Sequence, residues 1–324
     1  MAPPTTTLLV LSDPAEPQLT MLEPLRERLQ IVIGPTMAAV AAAAPLADAL
    51  LVWTASRDLL QQVFAIAPRL RWIHSRAAGL DTLLFPALVE SPVPLTNSSG
   101  VYSRSLGEFV AASVLFFAKD FHRMQRNQEA GRWEQFDVEE AHGKTMGIVG
   151  YGDIGRASAR LAKALGMRVL ALRRRPEQSR GDELVDEALG NDRLLELMAR
   201  ADYVVVAAPL TPDTTGLISA AAIAAMKPTG VLINVGRGAV IDEAALIAAL
   251  QRKAIRGAAL DVFAQEPLPA GHAFYALDNL LLSPHCADHT QTWIDDAMHF
   301  FIGNLELFLR GEPLRNVVEK RLGY

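Results

Sequence analysis

The 324-residue sequence predicts an α/β protein with two doubly wound parallel sheets. Short, continuously apolar segments alternate with helical segments over the first hundred residues, and the same alternation restarts near residue 145. Continuous apolar strands separated by helices are typical of parallel sheets that are covered on both faces. At roughly 100–200 residues per domain, the length of the chain also fits two domains.

The first part of the chain contains five candidate strands followed by a long helical pattern. The predicted strands are residues 7–11, 30–33, 50–53, 71–74 and 93–96. The predicted helices between them are residues 19–29, 37–46 and 58–66. Apolar residues recur along one stripe over residues 105–128, which predicts a single long helix there.

The second part of the chain has clearer turn signals and predicts a six-stranded sheet. The candidate strands are residues 146–149, 168–172, 203–207, 231–235, 258–262 and 280–283. The helices between them are residues 154–165, 192–199, 219–226 and 243–250, and an amphipathic helix follows over 292–309. Because such a sheet binds ligands at the carboxyl ends of its strands, we expect functional side chains directly after these strands.

Composition excludes several classes of protein. The formal net charge is −5, and no basic run is longer than residues 173–175, so we expect no nucleic-acid partner. The apolar runs are shorter than the roughly 20 residues that span a membrane. One cysteine and a start without a basic leader predict a cytoplasmic protein. His285 and His289 lack a third metal ligand at a suitable spacing, so we expect no metal.

A glycine-rich turn lies between the first strand and the first helix of the second part. Gly150 permits the tight turn, Gly152 lets the backbone approach a pyrophosphate, and Gly155 lets the helix pack on the strand. The start of the helix, at Asp153 and Ile154, offers free N–H groups and a positive dipole to phosphates. These five residues predict a dinucleotide-binding turn.

The residues after the second strand of this part predict which dinucleotide is bound. An NAD site places an acidic residue there to accept hydrogen bonds from the ribose 2′-hydroxyl. This chain instead has Arg173, Arg174 and Arg175. Guanidinium groups bind a 2′-phosphate, which a carboxylate would repel. We therefore expect NADP(H) as the preferred cofactor, with NAD(H) as the alternative.

Three further polar segments follow strands of the second part. Arg237 lies between two glycines in residues 233–238, Asp261 and Glu266 lie in residues 260–267, and His285 lies in residues 283–287. Together with the glycine turn, this ordered set resembles the D-isomer-specific 2-hydroxyacid dehydrogenase family.

The resemblance also includes two segments of the first part and covers nearly the whole chain. These segments are residues 77–81 and 97–108. The resemblance implies a Rossmann dinucleotide-binding domain, residues 119–291, inserted in a flavodoxin-like substrate domain made of residues 1–118 and 292–324. It also implies an active site in the cleft between the domains, and a homodimer.

The family resemblance implies a role for each polar residue of the site. Arg237 would bind the substrate carboxylate and polarise the C2 carbonyl. His285 would donate a proton to the carbonyl oxygen, and Glu266 would hydrogen-bond its other ring nitrogen and favour the protonated ring. The backbone N–H groups of Ala78 and Gly79 would hold the substrate carboxylate.

The remaining predicted contacts belong to the cofactor. Asp261 would contact the nicotinamide end, and Pro209, Thr214 and Val235 would line the dinucleotide path.

These expectations lead to one principal function and two alternatives. The principal function is NADPH-dependent reduction of a small 2-ketoacid, similar to glyoxylate or hydroxypyruvate, to the D-2-hydroxy acid. The alternatives are a dinucleotide-sensing, corepressor-like regulator and an NAD-linked dehydrogenase of formate or phosphite type. Two points stay open: Arg76 is either a second anion contact or a surface residue, and Asp288 and His289 either line the pocket mouth or face solvent.

Overall fold

The computed structural model describes residues 6–324, and the chain divides into two compact units. The first unit combines the chain up to Tyr102 with Gln291–Tyr324, and the second unit is Ser103–Thr290. The second unit is therefore an insertion in the first. Among the residues that the structure describes, no helix is both long and apolar enough to cross a membrane.

The first unit is built on a parallel sheet that is five strands wide within the described residues. Its strands are β1 (Thr6–Leu11), β2 (Leu29–Gly34), β3 (Ala49–Val52), β4 (Trp72–Ser75) and β5 (Leu95–Asn97). The spatial order is β2-β1-β3-β4-β5, which is the flavodoxin-like order. The predicted sheet is confirmed, and the nearly complete burial of β1, β3 and β4 explains their continuous apolar sequences.

Two of the four helices predicted in the first unit are confirmed, over residues 58–66 and 292–309, and two are not. The helices of this unit are α1 (Met37–Val40), α2 (Arg57–Ala65), α3 (Pro86–Glu90) and a C-terminal helix, Trp293–Arg310. The predicted helix over 19–29 is instead a 3-10 segment, Pro17–Glu27, which contains Pro24. Proline lacks the N–H that an α-helix needs there. The predicted helix over 37–46 is wrong beyond Val40, because the chain turns and forms only a short 3-10 segment, Ala44–Leu46.

The second unit is built on a parallel sheet with seven strands within the described part of the chain. They are β6 (Thr145–Val149), β7 (Arg168–Leu172), β8 (Glu187–Leu189), β9 (Tyr203–Val206), β10 (Val231–Asn234), β11 (Gly257–Leu260) and β12 (Leu280–Leu282). The order is β12-β11-β10-β9-β6-β7-β8, which is Rossmann topology extended by β12. The predicted fold class is confirmed, with an edge strand, β8, that the sequence analysis missed.

Two helices replace the long helix predicted over residues 105–128. The helices of this unit are α4 (Ser103–Ala118), α5 (Phe121–Glu129), α6 (Asp153–Ala164), α7 (Leu194–Arg200), α8 (Ala220–Ala224) and α9 (Glu243–Gln251). Asp120 separates α4 from α5 with a left-handed backbone (φ 50°), and its carboxylate accepts the N–H of Arg123 at 3.3 Å. This side chain caps α5 and ends the continuous pattern.

Helix α4 belongs to the second unit and packs against α6. A Cβ at Gly107 would lie 3.1 Å from the carbonyl carbon of Ala157 in α6, so the two helices are in close contact. The contacts therefore place residues 103–118 with the dinucleotide-binding fold, whereas the sequence analysis assigned them to the substrate domain. One apolar core cluster of this unit lies between the sheet and α7, α8 and α9, and includes Leu197, Ile223 and Leu250.

Candidate active site

The glycine-rich turn lies at the carboxyl end of β6, where the strand order reverses between β6 and β9. Gly150 has φ +93°, and a Cβ there would lie 2.5 Å from the backbone nitrogen of Ala208. A Cβ at Gly155 would lie 2.5 Å from the carbonyl oxygen of Gly150. The turn is therefore packed on its own backbone and on the residues that follow β9, which leaves no room for larger residues at these two positions.

Gly152 differs from the other two glycines because it faces open space. A Cβ at Gly152 would meet no atom of the described residues within 4 Å, and Gly152 is the N-cap of α6, which has no side-chain cap there. The first turn of α6 thus presents its N-terminal end to a clear space, where its N–H groups and dipole favour an anion. These residues fit the pyrophosphate of a dinucleotide.

The arginines after β7 lie next to this turn. Arg173 donates to Oε1 of Gln178 at 2.6 Å and to Oγ of Ser179 at 3.1 Å, and its Cζ lies 5.9 Å from the ring centroid of Tyr151. Both acceptors are neutral, so they do not neutralise the positive charge of Arg173, which can still attract an anion. Arg174 and Arg175 follow, and Arg175 precedes a 3-10 turn, Pro176–Ser179.

Tyr151 connects the glycine turn to a nearby acidic residue. Its hydroxyl donates to Oδ2 of Asp182 at 3.1 Å, and Asp182 also pairs with Arg156. Burial, together with the charge of Asp182, raises the pKa of Tyr151 to about 12. Tyr151 therefore stays a neutral donor, and its ring forms a fixed wall beside Arg173.

His285 and Glu266 form a hydrogen-bonded pair. Nδ1 of His285 lies 2.7 Å from Oε2 of Glu266, and Oε1 of Glu266 accepts the backbone N–H of Phe263 at 2.9 Å. The side chains are 43% and 34% exposed, so both are reachable from solvent. A carboxylate in this position fixes the orientation of the ring.

Asp261 holds the loop that carries His285. It is 1% exposed, and its Oδ1 accepts the hydroxyl of Ser283 at 2.5 Å and the N–H groups of Cys286 and Ala287 at 3.0 Å each. His285 has φ 53°, a left-handed conformation that non-glycine residues seldom adopt. The bonds to Asp261 keep the backbone in this conformation, so Asp261 sets the direction of the imidazole.

Arg237 is held by the end of strand β10. The side chain of Asn234 donates to the carbonyl of Arg237 and accepts the N–H of Gly236, both at 3.0 Å. Nη1 of Arg237 donates to the carbonyl of Gly236 at 3.0 Å. Asn234 thus closes the tight loop that the sequence predicted, and it presents a partly exposed guanidinium at the carboxyl edge of the sheet.

Three of the predicted cofactor contacts lie near the carboxyl ends of β9 and β10. The hydroxyl of Thr214 donates to the carbonyl of Pro209 at 2.6 Å, which ties the loop between them. Val235 is buried and donates its N–H to the carbonyl of Val206 at 3.0 Å. Their contacts to a dinucleotide, like the nicotinamide contact of Asp261, stay predictions.

In the first unit, Ala78 and Gly79 lie in the loop after β4. Asn97 donates to the carbonyl of Ala78 at 2.6 Å, and Ser75 donates to the carbonyl of Ala77 at 3.2 Å. Within residues 6–324, the N–H groups of Ala78 and Gly79 find no hydrogen-bond acceptor. The loop therefore has its carbonyls tied back and its donors available, as an anion-binding loop requires.

Asp288 and His289 follow His285. Asp288 is only 18% exposed, His289 is 45% exposed, and 3.8 Å separates Oδ1 of Asp288 from Nε2 of His289. That oxygen is buried and receives no hydrogen bond from residues 6–324, and burial raises the pKa of Asp288. Among the described residues, no group of three His, Cys, Asp or Glu side chains is arranged to hold a metal ion.

Three polar residues that position the site had no predicted role. Asn234, Asn97 and Ser283 each bind a loop that carries a predicted site residue. Each lies at, or directly after, the carboxyl end of a strand. A polar residue where a buried apolar strand ends was the signal that could have identified them.

Comparisons with known proteins agree with this geometry. The family described as "D-isomer specific 2-hydroxyacid dehydrogenase, NAD binding domain" matches residues 111–287. The chain is 34% identical over 281 residues to the glyoxylate reductase of Pyrococcus furiosus. The matched region covers 84% of this chain and 82% of that protein. It is 30% identical over 281 residues to the hydroxypyruvate reductase of Blautia hydrogenotrophica, covering 84% and 86% of the two chains.

A solved structure is similar over nearly the whole chain. The D-isomer specific 2-hydroxyacid dehydrogenase of Xanthobacter autotrophicus Py2, in complex with NADPH and MES, has a TM-score of 0.84 and 32% identity. The similarity covers 99% of this chain and 100% of that one. The predicted family and enzyme class are confirmed. The chain belongs to the D-isomer specific 2-hydroxyacid dehydrogenase family and is an oxidoreductase with a nicotinamide dinucleotide as its cofactor.

Proposed function

We propose that this protein is an NADPH-dependent reductase of small 2-ketoacids, with glyoxylate- or hydroxypyruvate-like substrates and a D-2-hydroxy acid as product. The His285–Glu266 pair carries the proposal, because a histidine held by a carboxylate is suited to donate a proton to a carbonyl oxygen. Relatives named glyoxylate reductase and hydroxypyruvate reductase support this substrate class.

Each residue contributes one element of the reaction. The guanidinium of Arg237 binds the substrate carboxylate and polarises the keto group, and the N–H groups of Ala78 and Gly79 bind the same carboxylate. His285 donates its proton to the oxygen at C2, and Glu266 stabilises the ring while it is charged. The bound nicotinamide supplies the hydride. Asp261 keeps the loop of His285 in place throughout.

The preference for NADPH rests on the arginines after β7. Arg173 is fixed by Gln178, Ser179 and the ring of Tyr151, and its hydrogen-bond acceptors carry no negative charge. A 2′-phosphate would gain charge-assisted hydrogen bonds from such a guanidinium. The structural relative with bound NADPH supports the same preference.

A steady-state panel tests this function. Wild-type protein is mixed with glyoxylate, hydroxypyruvate or pyruvate and with NADPH or NADH, and oxidation of the nicotinamide is followed by absorbance. We expect turnover with NADPH, and a loss of about 10²–10⁴-fold in kcat for His285→Ala with NADPH binding retained. Tight NADPH binding without turnover of any ketoacid would instead favour a dinucleotide-sensing regulator.

The assembly is proposed to be a homodimer. Trp133 is 95% exposed, and Phe121, Met124 and Val138 of the same stretch are also exposed. Several large apolar side chains on one segment are typical of a protein–protein interface. Sedimentation of wild type and Trp133→Ser tests this: the variant should dissociate at concentrations where wild type is dimeric. A cytoplasmic location, predicted from the single cysteine, stays a prediction.

A further inference from the structure

One arginine of the first unit differs from its neighbours in how it is held. Cζ of Arg76 lies 5.3 Å from the ring centroid of Trp53 and 5.7 Å from that of Trp293. The ring of Tyr102 lies 6.1 Å from the ring of Trp293, and the hydroxyl of Tyr102 donates to the carbonyl of Arg76 at 2.9 Å. Cation–π contacts and this bond fix the arginine in place.

No carboxylate of residues 6–324 pairs with the charge of Arg76. Several other arginines of this unit pair with carboxylates: Arg69 and Arg71 with Asp48, Arg28 with Glu306, and Arg321 with Glu90. Over residues 6–324, the guanidinium of Arg76 has neither a carboxylate partner nor a hydrogen-bond acceptor, although the residue is partly buried. A guanidinium has five N–H donors in a plane, and aromatic rings satisfy none of them.

Trp53 provides a second unused donor at the same place. Its side chain is 3% exposed, and its indole nitrogen is buried without an acceptor among the described residues. Buried N–H groups nearly always have a partner in folded proteins. An arginine and a buried indole in contact, both lacking acceptors, indicate a place for a ligand that brings acceptor oxygens.

The position of Arg76 in the chain connects it with the substrate. Arg76 comes two residues before Ala78, whose N–H group, with that of Gly79, is proposed above to bind the C1 carboxylate. The N–H of Arg76 donates to the carbonyl of Val52 at 3.1 Å, so the start of this loop is tied to β3. Arg76 therefore belongs to the loop that is proposed to hold the substrate.

We propose that Arg76, held by Trp53 and Trp293, is a specificity residue that binds an oxygen-bearing group on the side chain of the 2-ketoacid. A second carboxylate gains most from it, a hydroxyl gains less, and a methyl group or hydrogen gains nothing, because only the first two accept hydrogen bonds. This inference rests on the proposed function. It defines the substrates as 2-ketoacids with a polar side chain.

Kinetics of Arg76→Met with four substrates test the proposal. For oxaloacetate, which has a second carboxylate, we expect kcat/KM to fall about 10–100-fold, as for a lost hydrogen bond to a charged group. For hydroxypyruvate we expect a fall of about 3–10-fold, as for a lost neutral bond. Glyoxylate and pyruvate should change less than about 3-fold, because their side groups accept no hydrogen bond. Equal losses for all four substrates, or no loss for any, would overturn the proposal.

Two further variants control for folding and for the loss of an arginine. Arg71→Met is the matched control, because Arg71 also covers an aromatic ring, with Cζ 4.8 Å from Phe308, but is paired with Asp48. It should leave the substrate ranking unchanged. Arg76→Lys keeps the charge and loses the planar fork, so it should give intermediate losses for oxaloacetate. Arg76→Lys keeps the test valid if Arg76→Met destabilises the first unit.

A binding measurement separates this inference from the proposed function. Tartronate and lactate are titrated into wild type and Arg76→Met, and binding is followed by tryptophan fluorescence, to which Trp53 and Trp293 contribute. Tartronate, with two carboxylates, should lose about 10-fold or more in affinity, and lactate should not. That result would support Arg76 even where no ketoacid is reduced. Equal affinities of wild type and variant for tartronate would refute its role.

Discussion

Nδ1 of His285 lies 2.7 Å from Oε2 of Glu266, and the other oxygen of that carboxylate accepts the N–H of Phe263 at 2.9 Å. A backbone hydrogen bond thus fixes Glu266 independently of its contact with the imidazole. In the part of the chain that the structure describes, Nε2 of His285 has no hydrogen-bond partner, so it is the nitrogen available to a substrate. The carboxylate holds Nδ1 and leaves Nε2 free to donate a proton to a substrate.

Glu266→Gln tests this relationship. Glutamine retains a hydrogen-bonding group and removes the negative charge that stabilises the protonated ring, so kcat should fall about 10–100-fold, less than for removal of the histidine. The readout is kcat at saturating NADPH and ketoacid, together with NADPH affinity, which should not change. A variant with wild-type kcat would show that the charge of Glu266 is not used.

The second unit offers a matched control for this change. Oε1 of Glu243 lies 3.4 Å from Nε2 of His272, and Oε2 of Glu243 accepts the N–H of Ala264 at 3.0 Å. This pair repeats the arrangement of His285 and Glu266, with a backbone-anchored carboxylate against a histidine. Glu243→Gln should alter stability without lowering kcat more than about 3-fold, because no proton transfer is assigned to it.

Cofactor preference should follow the charge after β7. Replacing Arg173 by Asp and Arg174 by Ala should weaken NADPH binding about 100-fold, because charge-assisted hydrogen bonds to the 2′-phosphate are lost and a repulsive carboxylate is added. NADH affinity should change by less than about 3-fold. Titration calorimetry measures both. Arg168→Ala, at the other end of the same strand, is the control and should leave both affinities unchanged.

Two glycines of the phosphate turn should respond oppositely to alanine. Gly152→Ala adds a methyl group to open space, so stability should change by less than about 1 kcal/mol while the dinucleotide loses at least about 10-fold in affinity. Gly150→Ala places a Cβ 2.5 Å from the nitrogen of Ala208 at φ +93°, so it should destabilise the fold by several kcal/mol. Thermal unfolding and NADPH titration distinguish the two. Full dinucleotide affinity in Gly152→Ala would contradict the proposed pyrophosphate position.

The sheets could be predicted from the sequence because their strands are buried on both faces. Four of the five residues of β7 are buried, and all four residues of β9 and of β10. Strand β8 was missed because it has three residues, begins with Glu187 and lies at the edge of the sheet, where an apolar sequence is not required. The long helix was wrong at Asp120, because apolar periodicity does not record a left-handed backbone.

The candidate site was predictable to a similar extent. Strand ends located Arg237, Glu266 and His285, because parallel strands bring their carboxyl ends to one edge. The anchoring role of Asp261 could not be predicted, since it depends on three hydrogen bonds across 22 to 26 residues of sequence. The lack of a carboxylate partner for Arg76 within the described part of the chain was equally hidden, because partners are set by the fold and not by sequence spacing.

The buried histidine of β4 should make the protein sensitive to acid. His74 is fully buried, its Nδ1 lies 2.7 Å from Oγ1 of Thr96, and burial lowers its pKa to about 3. An unfolded histidine has a pKa of about 6.5. Between these values the unfolded chain binds a proton that the folded chain does not. His74 thus stabilises the fold above pH 6.5, and this contribution is lost as the pH falls toward 3.

His74→Gln removes this titration and retains a polar side chain at the position. At pH 7 the variant should be less stable by about 1–2 kcal/mol, because the packing changes. Between pH 6.5 and 5 wild type should lose stability more steeply, by up to about 1.4 kcal/mol per pH unit, so the two unfolding free energies should converge. Urea unfolding at pH 7, 6 and 5 measures this, with the exposed His299→Gln as control. If the unfolding free energies of wild type and His74→Gln differed by a constant amount across this range, His74 would take up its proton in the folded state. Its burial would then not be the cause of the loss of stability at low pH.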